Sequence, residues 1–221
     1  MTTNEILSYV DHTLLGTTAT STDYIKLCDE GHQFQVASVC VPPSRVALCA
    51  NYLAGKVAVC TVVGFPNGYA DSAAKAYETE AAIRAGATEI DMVIDIGMAK
   101  EQSYDAILED IKKVRAAAGK HILKVIIETA LLTEGEKIAL CQTVGESGAD
   151  YIKTSTGFAP TGATFEDVAL LRKHSPDHVK VKAAGGITTL DDAKKFIMLG
   201  ADRLGTSRIV KIVQGMEGSG Y

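Results

Sequence analysis

The stretch 89–128, EIDMVIDIGMAKEQSYDAILEDIKKVRAAAGKHILKVIIE, holds one complete strand–helix–strand unit. EIDMVI at 89–94 and ILKVII at 122–127 are nearly continuous apolar runs, as expected of parallel strands covered on both faces. Between them, Tyr104, Ile107, Leu108, Ile111, Val114 and Ala118 form a stripe of 3.6-residue period, which predicts a helix over 101–118. Parallel strands need such a crossover, because a two-residue hairpin can only reverse the chain.

The same alternation continues in both directions. Further strands are predicted near 9–11, 36–41, 57–63, 149–153, 179–183 and 201–204. Further helices are predicted near 21–32, 43–54, 71–86, 133–147, 164–174, 189–199 and 207–214. Gly86, Gly148 and Gly200 stop the helices before them, and Thr189 caps the helix that follows it. Eight units in 221 residues leave about 28 residues each, enough for a strand, a helix and short loops. The reading is a single (β/α)8 TIM-barrel domain over 1–221. A doubly wound sheet is the rival and would require one or two of the short strands to be absent. A barrel places its site at the C-terminal ends of the strands.

Composition narrows the function. Lys plus Arg total 22 against 27 Asp plus Glu, a formal net charge of -5. That argues against nucleic acid as a partner, since nucleic-acid binders carry a basic surface. Lys112, Lys113 and Arg115 cluster on the solvated face of a helix. The five cysteines are odd in number and sit mostly among apolar neighbours, as buried thiols in a reducing compartment do. No CxxC or HExxH motif occurs and the five histidines are scattered, so no metal site is expected. No stretch approaches 18 uncharged apolar residues, so no membrane partner is expected and the location is read as cytoplasmic.

The chemistry lies in lysines placed where a buried strand disfavours them. They are Lys124 in LKVIIET, Lys153 in YIKTSTG and Lys182 in VKVKAAGG. Ammonium groups that meet at one site can lower the pKa of one lysine and make it a nucleophile. Lys180 shares a face with Lys182 but lies nearer the opposite end of the barrel. Period two puts Asp91 and Asp95 on one face of their strand and Lys124 and Glu128 on one face of theirs. Each has a plain structural reading as well. Asp95 and Glu128 can cap loops, and Lys124 can pair with Glu128 or Asp91 to balance charge. Gly185-Gly186 and Gly205-Thr206-Ser207 precede the last two helices. There, backbone N–H groups and a helix N-terminus favour an anion, and barrels often hold phosphate in this pair of loops. Arg208 adds charge there or faces solvent.

These segments resemble the deoxyribose-phosphate aldolase family, which are class I aldolases. The resemblance runs from YVDHTLL through SVCVPP, VVGFP, EIDMVI, LKVIIET, YIKTSTGF and VKAAGGI to GTSR. YIKTSTG followed about 30 residues later by KAAGG is its most specific part. The resemblance implies reversible cleavage of 2-deoxy-D-ribose 5-phosphate to acetaldehyde and D-glyceraldehyde 3-phosphate. It implies Lys153 as the Schiff-base lysine, Lys182 as the activating lysine and Asp91 as the acid/base carboxylate. It implies support from Asp11, Cys40, Lys124 and Thr156, and phosphate binding by Gly157, Gly185, Gly186, Gly205 and Ser207. Tyr221, at the end of an EGSG stretch, matches a tail tyrosine that assists proton transfer. Asp95 departs from the asparagine of many relatives, and His12 lies at a variable position. No cofactor is implied. The partners implied are a phosphosugar, an aldehyde and further copies of the chain in a dimer or tetramer. A phosphosugar-binding protein without turnover, or another barrel lyase or isomerase, are the alternatives.

A free lysine has a pKa near 10.4, so about 1 in 2,500 is neutral at pH 7. Lowering it to about 7.5 would make roughly a quarter neutral. A second lysine beside the nucleophile is expected to supply that shift.

Overall fold

The computed structural model describes residues 1–215. Eight parallel strands close into a barrel in chain order, with β1 paired to β8. They are β1 (Val10–Thr13), β2 (Ser38–Val41), β3 (Ala58–Val63), β4 (Glu89–Val93), β5 (Ile122–Ile126), β6 (Tyr151–Lys153), β7 (Lys180–Ala184) and β8 (Arg203–Thr206). The closed ring excludes the doubly wound alternative. Helices cover the outside: α2 (Ser21–Gln33), α3 (Val46–Leu53), α4 (Ser72–Arg84), α6 (Tyr104–Ala118), α7 (Glu134–Glu146), α8 (Phe165–His174), α9 (Leu190–Met198) and α10 (Ile209–Val213).

Two short helices depart from expectation. α1 (Thr3–Leu7) precedes the barrel and is held by a reciprocal capping box between Thr2 and Glu5. α5 (Ile96–Lys100) separates β4 from α6, with Asp95 as its N-cap accepting Met98 N–H at 3.3 Å. The run of β4 therefore ends at Val93, and Asp95 does not share the inward face with Asp91. The last strand also extends further than expected. Gly205 and Thr206 are strand residues, leaving Ser207 and Arg208 as the link to α10.

The main apolar core lies between strands and helices, where Ile90, Met92, Ile107, Ile111, Val114, Leu123 and Val125 are fully or almost fully buried. A second, smaller cluster of Leu15, Cys40, Cys60 and Val62, with Phe65 packed on it, lies apart from that core. The barrel interior is therefore divided between an apolar wall and a charged centre. Gly86, Gly148 and Gly200 stop their helices at φ of 107°, 78° and 103°, backbone angles that side chains disfavour.

Candidate active site

Strand register creates the site. Asp91 on β4 lies directly beside Lys124 on β5, and Lys153 on β6 lies directly beside Lys182 on β7. Lys153 is the last residue of its strand and therefore stands nearest the C-terminal mouth. Asp91 is the common partner. Its Oδ1 accepts from Lys124 Nζ at 2.9 Å and Cys60 Sγ at 3.2 Å. Its Oδ2 accepts from Lys153 Nζ at 2.8 Å and Lys182 Nζ at 2.7 Å. All three lysines are buried, at 0% exposure for Lys124 and Lys182 and 3% for Lys153.

Beneath this carboxylate runs a second row of charges. Asp11 Oδ1 accepts from Ser38 Oγ at 2.6 Å and Arg203 Nη1 at 2.5 Å. Asp11 Oδ2 makes an ion contact with Lys182 Nζ at 2.5 Å, without hydrogen-bond alignment. Glu89 lies 2.6 Å from Lys124 Nζ and receives both terminal nitrogens of Arg203. Three carboxylates thus face four cations: Asp11, Glu89 and Asp91 against Lys124, Lys153, Lys182 and Arg203. Removal of one proton from Lys153 leaves the cluster neutral.

The protonation states follow from these contacts. Burial works to raise Asp91, but Lys124, Lys153 and Lys182 outweigh it and hold the carboxyl well below its ordinary range. Burial also opposes ionisation of Asp11, and Lys182, Lys124 and Arg203 overcome it. For Lys182, burial favours the neutral amine, yet Asp11 and Asp91 raise its pKa above the ordinary lysine value. Lys124 is likewise raised well above, because Asp91, Cys60 and Glu89 outweigh its burial. Neither Lys124 nor Lys182 is therefore the lysine that neighbouring ammonium groups lower: carboxylates at under 3 Å dominate both. Lys182 stays a cation and presents a fixed charge to Lys153 across one oxygen. The reading of Lys124 as a charge-balancing partner of Asp91 holds, while its pairing with Glu128 does not.

Cys40 belongs to the apolar wall and pairs in register with Cys60. The Cys60 hydrogen bond lowers the Cys40 thiol, burial opposes this, and Lys182 and Lys153 assist it. The sulfurs of Cys40 and Cys60 and a carboxylate oxygen of Asp91 lie within 4.8 Å of one another, a spacing that could hold a soft cation. Lysine ammonium groups already occupy both oxygens of that carboxylate.

The glycines assemble as a second feature. Gly157, Gly185, Gly186, Gly205 and Ser207 all line one cavity of about 280 Å³, together with Gly162, Thr206 and Arg208. Gly185 and Gly186 adopt φ of 71° and 72°, angles open chiefly to glycine. Gly185 gives its N–H to Gly205 O at 3.2 Å. Among the described residues, no protein acceptor takes the N–H of Gly186 or Ser207. The start of α9 is closed off, because Asp192 Oδ2 accepts the N–H groups of Thr188 and Thr189. The groups left open toward the cavity are therefore loop N–H groups and the Ser207 hydroxyl rather than the start of α9.

Thr156 lies in the loop after Lys153, where its N–H and hydroxyl both donate to Glu128. His12 is turned away from the charged centre and pairs with Glu30 of α2 at 2.8 Å. Lys180 is exposed and lies over the Tyr151 ring at 5.6 Å. Tyr221 lies outside the described residues. Sequence reasoning missed Glu89, Arg203, Cys60, Glu128 as the partner of Thr156, and Gly162. Glu89 was within reach, lying two residues before Asp91 on the same strand face. The signal for Gly162 is tertiary, since a Cβ there would fall 2.3 Å from the Gly185 carbonyl carbon.

A closed parallel barrel with lysine amines gathered on one carboxylate, beside a glycine-lined cavity, has the equipment of a barrel enzyme that handles carbonyl compounds. Comparison with known proteins defines the group more closely. The chain belongs to the DeoC/LacD family of aldolases, whose family model matches residues 6–216. It is 53% identical over 217 residues to a deoxyribose-phosphate aldolase of Streptococcus agalactiae, covering 98% of this chain and 97% of that one. It is 54% identical over 214 residues to one of Streptococcus pyogenes, covering 97% and 96%. The structure of a tetrameric deoxyribose phosphate aldolase from Aeropyrum pernix superposes with a TM-score of 0.89 at 29% identity, covering 97% of this chain and 92% of that chain. Among the described residues, no helix is long and apolar enough to cross a membrane.

Proposed function

We propose that this chain is a deoxyribose-phosphate aldolase. It cleaves 2-deoxy-D-ribose 5-phosphate reversibly to acetaldehyde and D-glyceraldehyde 3-phosphate through a Schiff base on Lys153. The observation that carries this reading is the sharing of Asp91 Oδ2 by Lys153 and Lys182, at the barrel end next to the glycine-lined cavity.

The steps follow from the charge balance. Neutral Lys153 attacks C1 of the open-chain sugar, and the carbinolamine loses water to give a protonated imine. The imine withdraws electrons as the C2–C3 bond breaks and the C3 hydroxyl gives up its proton. D-Glyceraldehyde 3-phosphate leaves, an enamine remains, and protonation at C2 followed by hydrolysis frees acetaldehyde and Lys153. Asp91 contacts Lys153 directly and moves protons to and from the carbinolamine oxygen through water. Lys182 stays charged and shares Asp91 Oδ2 with Lys153. Lys124, Asp11, Glu89 and Arg203 hold Asp91 and Lys182 in place. Cys40 walls the acetaldehyde end. Gly157, Gly185, Gly186, Gly205 and Ser207 take the phosphate, with little help from arginine.

The working unit is one domain over 1–221, assembled as a dimer or tetramer in the cytoplasm. The five free, buried cysteines suit a reducing compartment. Borohydride reduction in the presence of acetaldehyde, followed by peptide mass analysis, tests the mechanism. The adduct is expected on Lys153. An adduct on Lys182 reverses the two roles, and no adduct under turnover conditions removes the Schiff base.

A further inference from the structure

We propose that Glu128 is a positioning residue for phosphate recognition, acting through the loop Thr156–Phe158 rather than through the nucleophile. The proposal rests on the aldolase reading above and adds a residue to it.

Glu128 follows β5 and lies at φ 56° and ψ 67°, left-handed angles that a non-glycine residue adopts at an energetic cost. The same residue is 5% exposed, so its carboxylate is buried as well as its backbone bent. A buried carboxylate needs donors, and among the described residues all of the hydrogen bonds it accepts come from Thr156. Thr156 N–H is shared between Oε1 at 3.3 Å and Oε2 at 3.2 Å. Thr156 Oγ1 also donates to Oε2, in a short contact. Thr156 Oγ1 in turn accepts Phe158 N–H at 3.1 Å. One carboxylate therefore orders three consecutive residues, and the middle one is Gly157 of the glycine-lined cavity.

The nucleophile is held by other means. Lys153 O accepts Ile127 N–H at 3.1 Å, Thr154 O accepts Thr129 N–H at 2.8 Å, and Thr154 N–H donates to Lys182 O at 3.0 Å. These backbone bonds continue the barrel ladder and do not involve the Glu128 side chain. Losing that side chain releases Thr156 and loosens Gly157 while leaving Lys153 in its place, and Phe158 keeps its edge-on ring contact with Phe65 at 5.3 Å. Gly157 Cα lies 3.6 Å from where a Cβ on Gly185 would sit, so displacement of Gly157 is felt at the opposite wall of the cavity.

The test compares phosphorylated and unphosphorylated 2-deoxyribose on wild type, Glu128→Ala and Glu128→Gln. Glu128→Ala is expected to lower kcat/KM for the phosphorylated sugar about 100-fold, mainly through KM, as misplacement by about an ångström does. Its kcat/KM for the unphosphorylated sugar, and its borohydride trapping with acetaldehyde, should stay within about threefold of wild type. Glu128→Gln keeps an oxygen acceptor for Thr156 N–H and should lose about tenfold on the phosphorylated sugar alone. It carries the test if the alanine variant does not fold. Equal losses on both sugars would show a merely structural role and overturn the proposal. Loss of trapping would also overturn it, by making Glu128 part of the nucleophile's support. Equal kcat/KM of the wild type on the two sugars would instead remove the phosphate reading itself, and the proposal with it.

Discussion

Lys182→Met tests the charge logic of the site most directly. The substitution shortens the side chain by one atom and removes one of four buried cations. Lys153 and Lys182 lie 2.8 Å and 2.7 Å from the same Asp91 oxygen, so their nitrogens are at most about 5.5 Å apart. At an effective dielectric of about 20, two like charges at that distance repel by roughly 3 kcal/mol. Without Lys182, the remaining Lys124, Lys153 and Arg203 balance Asp11, Glu89 and Asp91 one for one. The lost repulsion of about 3 kcal/mol corresponds to an expected fall in the trapping rate at pH 7 of about 100-fold. The assay is the initial rate of borohydride-trapped acetaldehyde adduct as a function of pH, with folded protein verified by circular dichroism. Because the neutral amine is the reactive form, the variant's rate should rise with pH. Its deficit against wild type should shrink as pH rises. A rate that falls equally at every pH would refute the reasoning and make Lys182 a proton carrier instead of a fixed charge.

Three further outcomes are expected. Lys153→Ala should abolish adduct formation and lower kcat by at least about 10⁴-fold, read by trapping and by coupled assay of D-glyceraldehyde 3-phosphate; residual trapping would place the imine elsewhere. Gly162→Ala should force apart the two loops that meet at Gly185, lowering kcat/KM for the phosphorylated sugar about tenfold or more with little effect on the unphosphorylated one; equal kinetics would show that the cavity tolerates the shift. Thermal stability should be broad in pH. Asp11 and Asp91 are depressed in the folded state, so their contribution is present above the ordinary carboxylate value of about 4 and is lost as pH falls through their folded values. Lys124 and Lys182 are raised, so theirs is present below about 10.4 and is lost as pH rises through their folded values. A Tm that peaks narrowly near neutrality, with no plateau, would contradict this.

Much of the fold was legible because the barrel repeats a local pattern. The stripe Tyr104–Ala118 and the apolar runs on either side announce a crossover unit, and helix stops at Gly86, Gly148 and Gly200 set its period. The failures have local causes too. α1 is too short for a periodic signal and rests on its Thr2–Glu5 capping box. Alternation leaves Asp95 either on the strand face of Asp91 or as a loop cap, since it does not say where a strand stops. The structure ends β4 at Val93 and uses Asp95 to cap α5. Gly205 lies in a strand although glycine suggests a turn, because Ala184 and Lys182 leave little room beside it: a Cβ there would lie 3.0 Å and 3.1 Å from them.

The sequence by itself determined which groups face the interior, since a strand's period of two is a property of its own backbone. Asp91, Lys124, Lys153 and Lys182 were therefore visible as inward, costly residues, and the glycines of the last loops as possible anion donors. Only the tertiary structure decided which charge meets which. Closure of β8 onto β1 brings Asp11 to Lys182 and Arg203, and the β4–β7 register brings three ammonium groups to one carboxylate. Coulomb energy depends on those separations, and carboxylates under 3 Å away across strands keep Lys124 and Lys182 charged despite their neighbouring lysines. Glu128 shows the same division. Its place in the chain suggests a loop cap, while its left-handed backbone and its grip on Thr156 exist only because β5 and β6 lie side by side.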